Sequence, residues 1–145
     1  LVLYNANNFS KELSIKKGFK KHNIEFDGLI EIPDNYHNSY DYLNEYFKDS
    51  KHQLVITVRD SQAMAVLNAC TENGISIPKD TDLVCVMDSR YTDMVRPRIS
   101  SFFIPSYDLG ALAMRVMTKM LNDDEIKEKE YQLSYIYKNK ASTKV

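Results

Sequence analysis

Residues 54–110 read LVITVRDSQAMAVLNACTENGISIPKDTDLVCVMDSRYTDMVRPRISSFFIPSYDLG, and the fold is decided there. Leu54-Val55-Ile56-Thr57-Val58 is apolar, β-branched and too short for a helix, the pattern of a strand buried on both faces of a parallel sheet. Arg59-Asp60-Ser61 closes it with polar groups that can cap a helix. Ala63, Met64, Val66, Leu67, Ala69 and Cys70 then recur at helical spacing until Asn73-Gly74 stops them. A short connection through Pro78 leads to a second apolar run, Leu83-Val84-Cys85-Val86-Met87, closed by Asp88-Ser89. Strand, helix, strand predicts a βαβ unit, and open α/β sheets bind ligands beyond the carboxyl ends of their strands.

Outward from this unit the same alternation continues. Downstream, residues 99–104 read as a strand, followed by a helix carried by Leu109, Leu112, Ala113, Val116, Met117, Met120 and Leu121. Residues 122–129 form a charged, solvated connector, and 131–137 alternate like an edge strand. Upstream, residues 1–4 read as a strand, then a polar turn Asn5-Ala6-Asn7-Asn8, then a helix with Leu13, Ile15, Gly18 and Phe19 on one side. Residues 26–32 are a further strand, closed by Pro33-Asp34-Asn35; Tyr36, Tyr40, Leu43, Tyr46 and Phe47 then mark a helix. The expected fold class is α/β, an open parallel sheet flanked by helices. Four of the ten tyrosines lie between residues 36 and 46. They read as packing residues with wet hydroxyls, apart from Tyr36, which stands just past a strand end.

Composition excludes several function classes. The 145 residues suffice for one domain with a core of its own. Net charge is −1, with 19 basic and 20 acidic residues spread along the chain, so no DNA-binding surface is expected within it. No apolar run approaches the ~18 residues of a membrane span. The sequence opens at Leu1, within an apolar strand, and reads as a piece of a longer protein. Cys70 and Cys85 read as buried, unpaired thiols suited to a reducing cytoplasm. His22, His37 and His52 lack ligand spacing and read as solvated, so no metal is expected. Ser61 beside Asp60 has no nearby histidine, no glycine-rich phosphate loop follows a strand, and carboxylate pairs occur only in the connector. Neither catalysis nor a cofactor is expected.

Five pieces of the central stretch also resemble the effector-binding domain of the lactose/galactose-repressor family of bacterial transcription regulators, in register and without a gap. They are Val58-Arg59-Asp60, Gly74-Ile75-Ser76-Ile77-Pro78-Lys79-Asp80, Val84-Cys85-Val86-Met87-Asp88, Pro97-Arg98-Ile99-Ser100-Ser101 and Ile104-Pro105 with Leu109-Gly110. Lys17-Gly18-Phe19 and the closing Lys140-Ala141-Ser142-Thr143 match more loosely. The resemblance implies a periplasmic-binding-protein-like type I fold with two lobes, three crossovers and a ligand in the cleft. On that plan residues 1–103 are the C-terminal lobe, 104–129 a crossover and a helix of the N-terminal lobe, and 130–145 a return strand. The rest of the N-terminal lobe and the DNA-reading headpiece would lie upstream of Leu1. Helix 106–121, left without its lobe, would seek a partner.

The resemblance further implies a small-molecule effector, a sugar, sugar acid or sugar phosphate, and a cytoplasmic homodimer that touches DNA only through its headpiece and has no membrane contact. The polar positions expected to grip the effector are Asn5, Asn7, Tyr36, Arg59, Asp60 and Asp88, with Asn8, Asn35 and Arg90 nearby. Four of the family's usual polar contacts are changed here, to Ile15, Arg59, Met87 and Ile104. Arg59 can form a structural ion pair with Asp60 or Asp88, or anchor an anionic ligand. Asp60 can cap the helix or touch ligand. Met64, Met94 and Val95 fall where the family places its dimer interface. The same fold also serves exported sugar-binding proteins of transport systems, the alternative reading; the Pro78-Lys79-Asp80 and Pro97–Ser101 pieces resemble the regulator branch instead.

Overall fold

A computed structural model describes the chain except residues 6–8, 127, 129 and 145. Strands and helices alternate: β1 (Val2–Asn5), α1 (Phe9–Lys21), β2 (Leu29–Ile32), α2 (Tyr36–Asp49), β3 (Leu54–Thr57), α3 (Asp60–Glu72), β4 (Asp82–Cys85), α4 (Arg90–Met94), β5 (Ser100–Phe103), α5 (Ser106–Leu121) and β6 (Ile136–Lys138). The strands form one sheet in the order β2-β1-β3-β4-β5-β6. The first five are parallel, as expected. β6 pairs antiparallel with β5, Phe102 opposite Tyr137, which makes the sheet mixed rather than wholly parallel. It is also shorter than the alternating run 131–137, because only residues 136–138 reach the β5 edge. Likewise β4 ends at Cys85: Val86 and Met87 lie beyond it and are exposed.

The core sits between the sheet and α2–α3. Leu3, Val55, Leu83 and Cys85 come from the strands and Ile99 from just before β5, while Leu43, Phe47, Ala63, Val66, Leu67, Ala69 and Cys70 come from the helices. The alanines let α3 approach the sheet closely, so this helix is buried on most of its circumference. Its end is fixed by Gly74 at φ +70°, with Ile75 N–H on Cys70 C=O (2.8 Å) and Gly74 N–H on Thr71 C=O (3.2 Å). That is a Schellman termination, and only glycine adopts its left-handed residue cheaply. Both cysteines are free, and burial pushes their thiols up, Cys70 to about 12 and Cys85 to about 11. His52, expected in solvent, instead stacks on Tyr46 and shares a hydrogen bond with its hydroxyl (2.8 Å).

Right-handed crossovers put α1 on the opposite face of the sheet from α2, α3 and α4. There Ile15 and Phe19 of α1 meet Val2, Ile56, Val86 and Phe102 around an apolar trough of about 340 Å³. Helix α5 differs from the rest. None of its residues is buried, and Leu109, Met114, Met117 and Met120 are each at least half exposed.

The last residues lock the sheet. Ser142 is fully buried; its Oγ donates to Leu83 C=O (2.5 Å) and accepts from Ser100 N–H (2.8 Å), while Leu83 N–H donates to Ser142 C=O (2.8 Å). One hydroxyl thus satisfies a buried carbonyl of β4 and a buried amide of β5. Replacing it by Ser142→Ala strands both groups and is expected to cost about 1–3 kcal/mol. Urea titration of the intact protein reads this as a lower midpoint at unchanged slope; an unshifted midpoint would show that the bridge contributes nothing.

Candidate functional site

Because β1 to β5 are parallel, their carboxyl ends open on one side. The strand order reverses direction at β1, with β2 on one flank and β3 on the other. The crevice at such a reversal is where open α/β sheets take ligands. The pairs Val2–Ile56 and Leu3–Thr57 set the register of β1 against β3, and Asn5 and Arg59 each stand two residues past the last pair. Asn7 lies outside the described residues.

Arg59 is the N-cap residue of α3, with extended backbone, and its N–H donates to Oε1 of Gln62 one turn on (3.2 Å). Its guanidinium does not pair with Asp60 or Asp88. Nη1 instead reaches across to Asp34, at the end of β2, 3.2 Å from each carboxylate oxygen. The side chains of this pair are 41% and 55% exposed. An ion pair so open contributes about 0–1 kcal/mol, so it is easily exchanged. Asp60 opens α3 and accepts from Ser61 N–H (2.8 Å); Ser61 Oγ in turn donates to Asp34 C=O (3.4 Å). The turns after β2 and β3 are therefore joined by one small polar group: Asp34, Arg59, Asp60, Ser61 and Gln62.

Two predicted contacts sit elsewhere. Tyr36 is half-buried in the seam between α2 and α3, where its hydroxyl accepts from Asn68 Nδ2 (2.6 Å). Asp88 lies toward the other edge of the sheet. It accepts from Lys138 Nζ (2.7 Å), Lys140 Nζ (3.1 Å), Ser101 Oγ (2.6 Å) and Thr92 Oγ1 (3.3 Å). Lys140 also pairs with Asp93 (2.9 Å). Burial alone would raise the Asp88 carboxyl. The hydrogen bonds from Lys138, Ser101 and Lys140 outweigh it and hold the group well below the usual carboxylate range. Asp88 thus clasps the β4–α4 turn to β5 and β6. Of the residues expected at a dimer contact, Met94 is 69% exposed, Met64 is half-buried on the outer side of α3, and Val95 packs partly against the core.

Sequence reasoning passed over Asp34, Gln62, Lys138 and Lys140. Asp34 carried a signal, since it is a carboxylate two residues past the end of β2. The lysines carried none, because a charge some 50 residues from Asp88 has no local pattern that ties it there.

A family model described as a periplasmic binding protein-like domain matches residues 8–143. The chain belongs to this family. Catabolite control protein A of Staphylococcus epidermidis is 29% identical over 132 residues, 89% of this chain and 40% of that protein. The crystal structure of the transcription regulator CcpA of Lactococcus lactis superimposes with a TM-score of 0.82 at 23% identity, covering 99% of this chain and 55% of that one. A LacI family transcriptional regulator from Enterococcus faecium with bound ribose superimposes with a TM-score of 0.73 at 20% identity, over 98% of this chain and 55% of that one. At these identities the two structures speak for the fold alone. The chain thus spans about half or less of its relatives' length. The resemblance to lactose/galactose-repressor-type regulators read from the motifs stands, and the periplasmic-binding-protein-like fold with it. Among the described residues, no helix is long and apolar enough to cross a membrane.

The Asp88 clasp has a pH signature. Its folded pKa is below the unfolded ~3.9, so the stability it adds is complete above that value and is lost as pH falls through the folded one. Asp88→Asn is expected to destabilise the intact protein by about 3 kcal/mol at neutral pH, since it leaves Lys140 buried with less charge to meet it. The gap to the wild type should narrow as pH is lowered from about 5 to about 2. Parallel stability–pH curves for the two proteins would count against the clasp.

Proposed function

We propose that this chain is the effector-sensing and dimer-forming part of a cytoplasmic transcription regulator. The observation that carries this reading is the polar group of Asp34, Arg59 and Asp60 at the reversal point of the sheet, held by an ion pair weak enough to exchange. A sugar or sugar derivative would contact Asn5, Asn7, Arg59 and Asp60. Tyr36 and Asp88, whose polar atoms have partners within the fold, would shape the walls instead. The ribose seen in the Enterococcus faecium regulator supports a sugar-sized ligand. The catabolite control relative supports a regulatory role over an enzymatic one.

In this reading residues 1–103 and 130–145 form one lobe, and α5 belongs to the other. The uncovered apolar side of α5 supports that division, because a helix with Leu109, Met117 and Met120 in water gains by burial. Ligand in the cleft would favour a closed pair of lobes and so change the spacing of two headpieces on DNA, a shift between states that the ligand must bind unequally.

The test uses the intact protein. A bound sugar at about 100 times its Kd should stabilise it by about 2.7 kcal/mol and change its affinity for operator DNA. Stabilisation without any change in DNA binding would turn the reading toward solute transport, and consumption of the sugar toward an enzyme. For the dimer, Met94→Glu places a charge in an apolar contact and should weaken association at least tenfold in sedimentation equilibrium, about 1.4 kcal/mol. An unaltered dimer would remove Met94 from the interface.

A further inference from the structure

Arg59 holds more hydrogen-bonding capacity than the fold uses. It meets Asp34 through a single nitrogen, not through the two-nitrogen fork that makes an arginine–carboxylate pair strong. Its Nε is buried and has no partner among the described residues. Gln62 beside it is fully buried; its Oε1 takes the Arg59 N–H, but its Nε2 has no partner among the described residues either. Buried donors are nearly always paired, so two left open one turn apart mark a place built for an acceptor. The neighbouring carboxylates do not fill it: Asp34 is more than half exposed, and Asp60 turns one oxygen to Ser61 N–H.

Resting on the effector reading, we propose that the ligand of this site carries an anionic group, a phosphate or carboxylate, which takes the Arg59 guanidinium over from Asp34. The exchange conserves charge. The cation trades one anion for another and is never buried alone, while Asp34 returns to water that already reaches it. A planar oxyanion edge also accepts from two guanidinium nitrogens at once, so Nε gains a partner in the same step. A neutral sugar offers only hydroxyls, which accept more weakly and give Arg59 no reason to leave Asp34.

Calorimetry on the intact regulator at fixed ionic strength distinguishes these cases with matched probes: D-ribose against D-ribose 5-phosphate, D-glucose against D-glucuronate, and inorganic phosphate alone. A charged member should bind at least about tenfold more tightly than its neutral counterpart. Arg59→Met should abolish that preference, Arg59→Lys should keep part of it, and Asp34→Asn should strengthen the charged ligand about threefold. Inorganic phosphate binding as tightly as ribose 5-phosphate supports the anion site and makes free phosphate its source. Equal binding within a pair, or a preference that survives in both Arg59 variants, overturns the inference and leaves the effector reading standing. No saturable binding by any probe overturns both.

Discussion

The close packing of α3 on β3 and β4 is the constraint from which the rest follows. A parallel pair needs a crossover, and this one is a helix lined with Ala63, Ala65, Ala69 and Cys70, all fully buried. Small side chains bring the helix axis near the sheet, so the chain must end β3 and begin α3 within two residues, at Val58 and Arg59. That short turn is why a charged residue stands at the lip of the core. Its side chain cannot fold inward among Val55, Thr57 and Leu83, so it extends over the strand ends, where Asp34 is the available counter-charge. Site and core are consequences of one piece of packing.

The far edge is held differently. There the apolar core thins to Ile99, and a polar structure takes over: Asp88 with two lysines, and Ser142 between β4 and β5. Both devices use residues that follow α5. The edge is therefore complete only once the chain has left the sheet and returned as β6. A folding order in which β1 to β4 assemble on α2 and α3 first, and β5 and β6 join last, follows from this distribution of contacts.

Most of the fold was legible because its signals are local. Strands β3 and β4 announce themselves as short β-branched runs, α3 by its spacing and its Asn73-Gly74 stop, and both bounds hold to within one or two residues. What the sequence hid is what long-range pairing decides. The direction of β6 depends on where a strand re-enters after α5, and alternation in residues 131–137 says nothing of that. Site residues divide the same way. Asp34 and Arg59 each stand at a visible strand end, but their pairing joins positions 25 apart. Tyr36 and Asp88 were placed by position at the sheet's ligand side, and their polar atoms are drawn off by Asn68 and by Lys138 and Lys140, which no spacing rule connects to them.

The weakness of the Arg59–Asp34 pair sets a limit on how a switch could work here. Moving a two-state protein from about 1:99 to about 99:1 takes roughly 5.5 kcal/mol of differential binding. An exposed pair offers at most about 1 kcal/mol, so exchanging it can choose a ligand but cannot by itself drive a conformational change. The larger part must come from contacts that exist in only one state. The core between the sheet and α2–α3 has no slack to supply them, with Leu3, Val55, Leu83 and Ile99 fully buried. The reserve lies on α5, whose apolar side chains are uncovered. In the proposed two-lobed regulator, selectivity therefore belongs to Arg59, and the energy of switching belongs to the surface that closes over it.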